Sequence, residues 1–94
     1  MPTWIRPACA LAAFPAGWAV REAAGGAAGG VVVLALIAAC AWGLPQRSAV
    51  VVVAAGVLCF VAVHLIAAVT SIYAGLAVGS LAFLFVCLAE ARPR

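Results

Sequence analysis

Hydrophobic positions run almost without interruption along this 94-residue chain, and a few polar clusters divide it into four stretches. The longest uncharged run extends from Ser48 to Ala89. As one helix it would measure about 63 Å, at about 1.5 Å per residue. One bilayer crossing needs about 20 mostly apolar residues, so this run predicts two helices. The break between them is expected at the polar cluster of Thr70, Ser71 and Tyr73.

The four stretches predict helices over residues 5–22, 27–44, 49–69 and 72–89. Pro45 is expected to end the second helix, because proline lacks a backbone N–H and clashes with the preceding helical turn. Gln46, Arg47 and Ser48 are then expected to form a turn that faces water. The first stretch is short and contains Pro15, so we expect it to be kinked.

Arg21 and Glu22 decide how many of these helices cross the membrane. With four crossings, Arg21 is the only arginine on its side, and Arg6, Arg47, Arg92 and Arg94 share the other side. With three crossings and an N-terminal helix that lies in the interface, the arginines divide three against two. Cytoplasmic segments carry an excess of arginine and lysine, so the pattern favours four crossings with both termini in the cytoplasm. A cleaved signal peptide is a further alternative for the first stretch.

The composition predicts that lipid surrounds most of the side chains. Hydrophobic residues make up 70% of the chain and charged residues 7%. A small soluble domain buries only about 60% of the surface that its unfolded chain exposes, which is too little for this many apolar side chains. The expected fold is all-α, a single domain over residues 1–94 that forms a compact bundle of four short transmembrane helices. The expected location is the plasma (inner) membrane.

Small residues at helical spacing predict where helices pack closely. Helices in lipid associate through close backbone approach, which glycine and alanine permit. Ala8, Ala12 and Ala16 follow one another at intervals of four residues. The glycines form three GxxxG pairs and are the predicted packing residues: Gly25, Gly26, Gly29, Gly30, Gly75 and Gly79.

His64 is the ionisable side chain, thiols and Tyr73 apart, that falls within a predicted crossing. Ionisable residues inside a membrane are candidates for function. Glu22, His64 and Tyr73 are therefore a candidate ion or proton site. The alternative is a neutral His64 that hydrogen bonds to a helix carbonyl near the interface, with Glu22 neutralising Arg21. The sequence favours this alternative.

The four cysteines, one in each predicted helix, carry no recognisable motif. Cys9, Cys40, Cys59 and Cys87 include no Cys-x-x-Cys pair, and metal sites made of thiolates usually have ligands that are close in sequence. Buried cysteine behaves mainly as a small hydrophobic residue. We therefore expect no metal, no cofactor and no catalytic residue.

The scarcity of polar groups favours an accessory role over a chemical one. The predicted protein is a non-catalytic integral membrane subunit that packs its small-residue helix faces against a larger membrane complex or another copy of itself. The alternative is a minimal oligomeric transporter or channel for protons or cations that uses Glu22 and His64. A pore-forming peptide is a third hypothesis. The dispersed arginines form no basic face, so a nucleic-acid partner is not expected.

Overall fold

A computed structural model describes residues 4–91, and for Ala91 the backbone alone. Over this range the chain is helical with no strand. The four helices are α1 (Ile5–Ala24), α2 (Gly26–Ala41), α3 (Gln46–Val69) and α4 (Ile72–Ala91). The predicted all-α fold with four helices is therefore confirmed. Arg92 and Arg94, which entered the charge argument, lie outside the described residues.

The helices form an up-and-down bundle about 38 Å long. Helix α1 packs against α2 and α4, and α3 packs closely against α4, whereas α2 and α3 approach each other less closely. Ring contacts show how α1 lies against α4. Phe14 packs edge-on against Phe83 with ring centroids 5.8 Å apart, and Trp18 packs against Tyr73 with centroids 5.9 Å apart.

A single residue, Gly25, joins α1 to α2. Its φ of +102° lies in the region that L side chains rarely adopt, and its N–H donates to the Arg21 carbonyl at 2.9 Å. Its own carbonyl accepts the first hydrogen bond of α2, from the Gly29 N–H at 3.1 Å. The chain therefore reverses direction at the glycine-rich stretch, directly after Arg21 and Glu22, which the sequence predicts at the end of the first helix.

The second connection differs from the prediction. Helix α2 ends at Ala41, three residues early, and Gly43 turns the chain with a φ of +80°. Gln46, Arg47 and Ser48 form the first turn of α3 instead of a water-facing turn, and Ser48 is buried. The physical reason is that Pro45 precedes a helix here, at its N-cap, where a missing N–H costs nothing and a φ of −54° suits the helix start.

The third connection is as short as predicted. Helix α3 ends at Val69 and α4 begins at Ile72. Ser71 precedes α4, and its hydroxyl oxygen accepts a hydrogen bond from the Ala74 N–H at 3.2 Å. This contact occupies one of the backbone donors that a helix start leaves free, which explains why a polar residue marks the break.

Each helix turns one narrow face inward, and that face mixes small and large residues. The buried apolar side chains include Phe14 in α1, Ile37 in α2, Val52 in α3 and Phe83 in α4. Helix α1 continues through Pro15, whose side chain is exposed. Many of the other large aliphatic side chains face outward.

Among residues 4–91, two helices are long and apolar enough to cross a membrane: α3 and residues Ile72–Glu90 of α4. Helix α2 is equally apolar but has only 16 residues. Helix α1 has 20 residues and includes three charged side chains. These two long helices indicate membrane association.

Candidate functional site

A cavity of about 550 Å³ lies at the end of the bundle where α1 joins α2 and α3 joins α4. Residues of all four helices line it. Its walls are mainly apolar, and their larger side chains are Phe14, Val33, Phe60, Val63, Ile72 and Leu76. Four glycines also line it: Gly17, Gly26, Gly29 and Gly30. Volumes of this size and apolar walls are typical of small-molecule sites.

His64 and Arg21 are the ionisable residues that line this cavity. The His64 Nδ1 lies 2.9 Å from the Phe60 carbonyl oxygen, one turn earlier in α3. Because a carbonyl oxygen only accepts, Nδ1 is the donor in this contact. The His64 ring also packs against the Phe60 ring, with centroids 4.5 Å apart. His64 thus bonds to a helix carbonyl, as in the alternative that the sequence favours.

Glu22 and Tyr73 do not line the cavity, so the structure does not gather the three candidate ion-site residues around one space. Both side chains are exposed. Tyr73 packs its ring against Trp18, which itself lines the cavity beside Arg21. The ion or proton site stays a prediction.

Arg6 has a role that sequence reasoning missed. Its Nε donates to the Cys40 carbonyl oxygen at 2.9 Å, and its terminal Nη2 donates to the Trp42 carbonyl oxygen at 2.7 Å. These carbonyls lie at the end of α2, where helix carbonyls lack donors from within the helix. Arg6 therefore caps α2 from the start of α1 and ties the two helix ends together. The sequence signal for this role is Gly43. A helix α2 that ends before Gly43 places its last carbonyls near Arg6.

Two of the four cysteines meet in the core. Cys40 and Cys87 are fully buried next to each other, and the Cys40 Sγ donates to the Arg6 carbonyl oxygen at 3.8 Å. Cys9 and Cys59 are partly buried, and all four are free thiols. Within residues 4–91, no three His, Cys, Asp or Glu side chains are grouped in a way that could hold a metal ion.

The predicted packing glycines fall into two groups. A Cβ at Gly29 would lie 2.6 Å from the Gly17 carbonyl oxygen, and one at Gly75 would lie 2.7 Å from the Val63 carbonyl oxygen. A Cβ at Gly79 would be still closer to the side chain of Val63. In contrast, nothing lies within 4 Å of a Cβ at the other three: Gly25, Gly26 and Gly30.

Two glycines outside any GxxxG pair also lie at close contacts. Gly17 faces α2 at Val33 and Gly29, and Gly56 in α3 faces the side chain of Ile37 in α2. The sequence held no signal for them beyond glycine itself in an apolar helix.

No protein-family model, no curated protein and no solved structure matches this chain. The function therefore has to be inferred from its own residues. The features available are the cavity, the Arg6 cap, the buried thiol pair and the outward faces of the helices.

Proposed function

We propose that this protein is a non-catalytic accessory subunit of the plasma membrane. It crosses the bilayer four times and docks the outward face of α1 against a larger membrane complex or a second copy of the chain. The observation that carries the proposal is the difference between the outward face of α1 and those of α3 and α4.

Four crossings are consistent with the dimensions of the bundle and with its charges. The bundle is about 38 Å long, which exceeds the roughly 30 Å of a bilayer's hydrocarbon core. Arg6 and Arg47 belong to one end, while Arg21 and Glu22 belong to the other. Helix α2 measures about 24 Å at about 1.5 Å per residue, and local thinning of the bilayer accommodates a short crossing at modest cost. The arginine excess gives the first end to the cytoplasm.

Small residues predominate on the outward face of α1, where Leu11 is the large aliphatic side chain that is exposed. The exposed positions of this face include Ala8, Ala12, Pro15 and Ala19. The exposed positions of α3 and α4 carry mostly large aliphatic and aromatic side chains, among them Val50, Leu58, Leu65, Val78, Leu81 and Phe85, whereas those of α2 are mixed. Large side chains suit contact with lipid, whereas small residues let a second helix approach closely. A partner is therefore expected at α1.

Pro15 adds a reason for α1 to need a protein neighbour. Because proline has no N–H, the Leu11 carbonyl loses its usual partner four residues later in the helix. Pro15 and Leu11 are both exposed on the outward side of α1. An unpaired carbonyl in hydrocarbon costs several kcal/mol, and side chains of a neighbouring helix commonly satisfy such groups.

We expect Glu22 to be accessible from the side opposite to Thr3 and Gln46. Single cysteines at these three positions, in a background with all four native cysteines replaced by alanine, can be tested with an impermeant thiol reagent on intact cells and on inverted vesicles. Thr3→Cys and Gln46→Cys should react in inverted vesicles, and Glu22→Cys in intact cells. Reaction of Thr3→Cys and Glu22→Cys from one side would contradict four crossings and favour the interfacial N-terminal helix.

The docking role is tested by Ala12→Leu in α1. The added side chain would hold a partner helix away, since close approach requires small residues. The wild type should migrate in native gels of mild-detergent extracts well above the size of one chain, and Ala12→Leu should migrate as a single chain.

The matched control is Ala54→Leu in α3, which changes an exposed alanine on a face of large residues. It should leave migration unchanged, because that face is expected to contact lipid. A wild type that migrates as a single chain, or equal effects of the two substitutions, would count against docking through α1.

A further inference from the structure

The cavity continues toward the middle of the bundle as a groove between α2 and α3. This groove has a volume of about 130 Å³ and shares Gly30, Val33 and Phe60 with the cavity. It extends along α2 as far as Ile37. We call the cavity and groove together the α2–α3 cleft.

The length of the α2–α3 cleft corresponds to one leaflet of a bilayer. From Gly26 to Ile37 it follows α2 for about 16 Å, at about 1.5 Å per residue. Half of a hydrocarbon core measures about 15 Å. The cleft therefore begins at the level of Arg21 and extends past the middle of α2, which is the depth of one leaflet or slightly more.

The cleft is accessible from the side of the bundle. Helices α2 and α3 approach each other less closely than the neighbouring pairs do. Leu34 and Val57, which line the groove, are exposed. A flexible apolar chain can therefore enter between α2 and α3 directly from the surrounding lipid.

The outer end of the cleft carries an arginine, and the rest is mainly apolar. Arg21 lines this end from the last turn of α1. Helix α2 begins beside it at Gly26, with no side-chain cap and no acidic residue in its first turn. The free N–H groups of a helix start carry partial positive charge and attract anions. His64 also lines this end, whereas the neighbouring Glu22 does not.

We infer that the α2–α3 cleft binds one membrane lipid with an anionic headgroup. The acyl chain lies along Val33, Phe60 and Ile37, and the headgroup phosphate interacts with Arg21 at the start of α2. The apolar length selects a bilayer lipid over a soluble anion, and the charge of Arg21 selects an anionic lipid over a zwitterionic one. The inference rests on the proposed four crossings, which place Arg21 at the membrane surface, and it is independent of docking through α1.

Trp18 lines the cavity and reports on the occupant. With Trp4 and Trp42 replaced by phenylalanine, Trp18 is the only tryptophan in the chain. The protein is reconstituted in phosphatidylcholine vesicles that contain a small fraction of phosphatidylglycerol. In one set of vesicles the phosphatidylglycerol chains are brominated, and in a second set an equal fraction of the phosphatidylcholine chains is brominated. Bromine quenches tryptophan fluorescence at short range. The difference in Trp18 quenching between the two sets of vesicles therefore measures the preference of the cleft for the anionic lipid.

We expect stronger quenching by brominated phosphatidylglycerol. Arg21→Gln should reduce this preference by up to about fivefold, the range of an exposed ion pair. Arg47→Gln removes the same charge from the other end of the bundle and should leave the preference unchanged. Gly30→Leu places a side chain where nothing lies within 4 Å, so it should fill the cleft and abolish the preference. Ala35→Leu, on an exposed position of α2, is its control.

Equal quenching by the two lipids in the wild type would overturn the inference, as would a preference that Arg21→Gln leaves undiminished or one that survives Gly30→Leu. Circular dichroism of each variant shows that the helices remain. The number of crossings is measured separately by labelling of Glu22→Cys, so a failure of the lipid site and a failure of the topology are distinguishable.

Discussion

Replacing Gly75 by alanine is expected to loosen the pair formed by α3 and α4. The new Cβ would lie 2.7 Å from the Val63 carbonyl oxygen and 3.4 Å from the Ala67 nitrogen. Both are backbone atoms, so relief requires one helix to move and not merely a side chain. Overpacking of this kind costs about 1–3 kcal/mol, and Gly75→Leu should cost more. The measurement is the free energy of unfolding by a denaturing detergent in mixed micelles.

Gly30→Ala is the matched control, because it adds the same methyl group where nothing lies within 4 Å. It should leave the stability unchanged or raise it, since alanine is the better helix former. Equal stability of Gly75→Ala and Gly30→Ala would show that α3 and α4 do not approach closely at Gly75. The expected loss of stability would mean that Gly75 contributes to packing between two helices of the same chain. The interface with a partner is expected at α1 instead.

Replacing Arg6 by alanine is expected to detach the start of α1 from the end of α2. The substitution removes two hydrogen bonds from a charged donor, to the carbonyls of Cys40 and Trp42. Hydrogen bonds to charged groups contribute about 1.5–3 kcal/mol, and the loss here should fall in that range. Arg6→Lys should recover only part of it, because an ammonium group cannot reproduce the planar fork of a guanidinium. The same unfolding measurement gives the loss.

Arg47→Ala provides the comparison for Arg6→Ala. Arg47 is exposed in the first turn of α3, so its substitution removes an equal charge from the same end of the bundle. Since stability depends here on the capping contacts and not on net charge, Arg47→Ala should have little effect. Similar losses for the two variants would mean that the charge, not the contact with α2, stabilises the fold.

The candidate residues show how far the sequence can predict a site. The position of each residue along the bundle axis follows from the chain order, so Arg21 and His64 could be assigned to the same end of the bundle. Whether their side chains share a space depends on how each helix is rotated about its axis. That rotation brings His64 and Arg21 to the cavity and leaves Glu22 and Tyr73 outside it.

The sequence by itself determined that the chain forms four helices, because polar clusters and glycines interrupt an otherwise apolar chain at only three places. It also determined the order of the helices and the alternation of charge between their ends. The two boundaries that differ most from the prediction flank Pro45, where a single proline is compatible with the end of one helix or the start of the next.

Only the tertiary structure decided which face of each helix lies inside. In a soluble helix, polar residues mark the outer face, but here inner and outer faces are both apolar, so the sequence period carries little information. Close packing selected Gly17 and Gly56 as contact positions, left Gly30 beside an open cleft and brought Cys40 against Cys87. These contacts depend on how the surfaces of two helices fit together, and the sequence of one helix alone does not specify that fit.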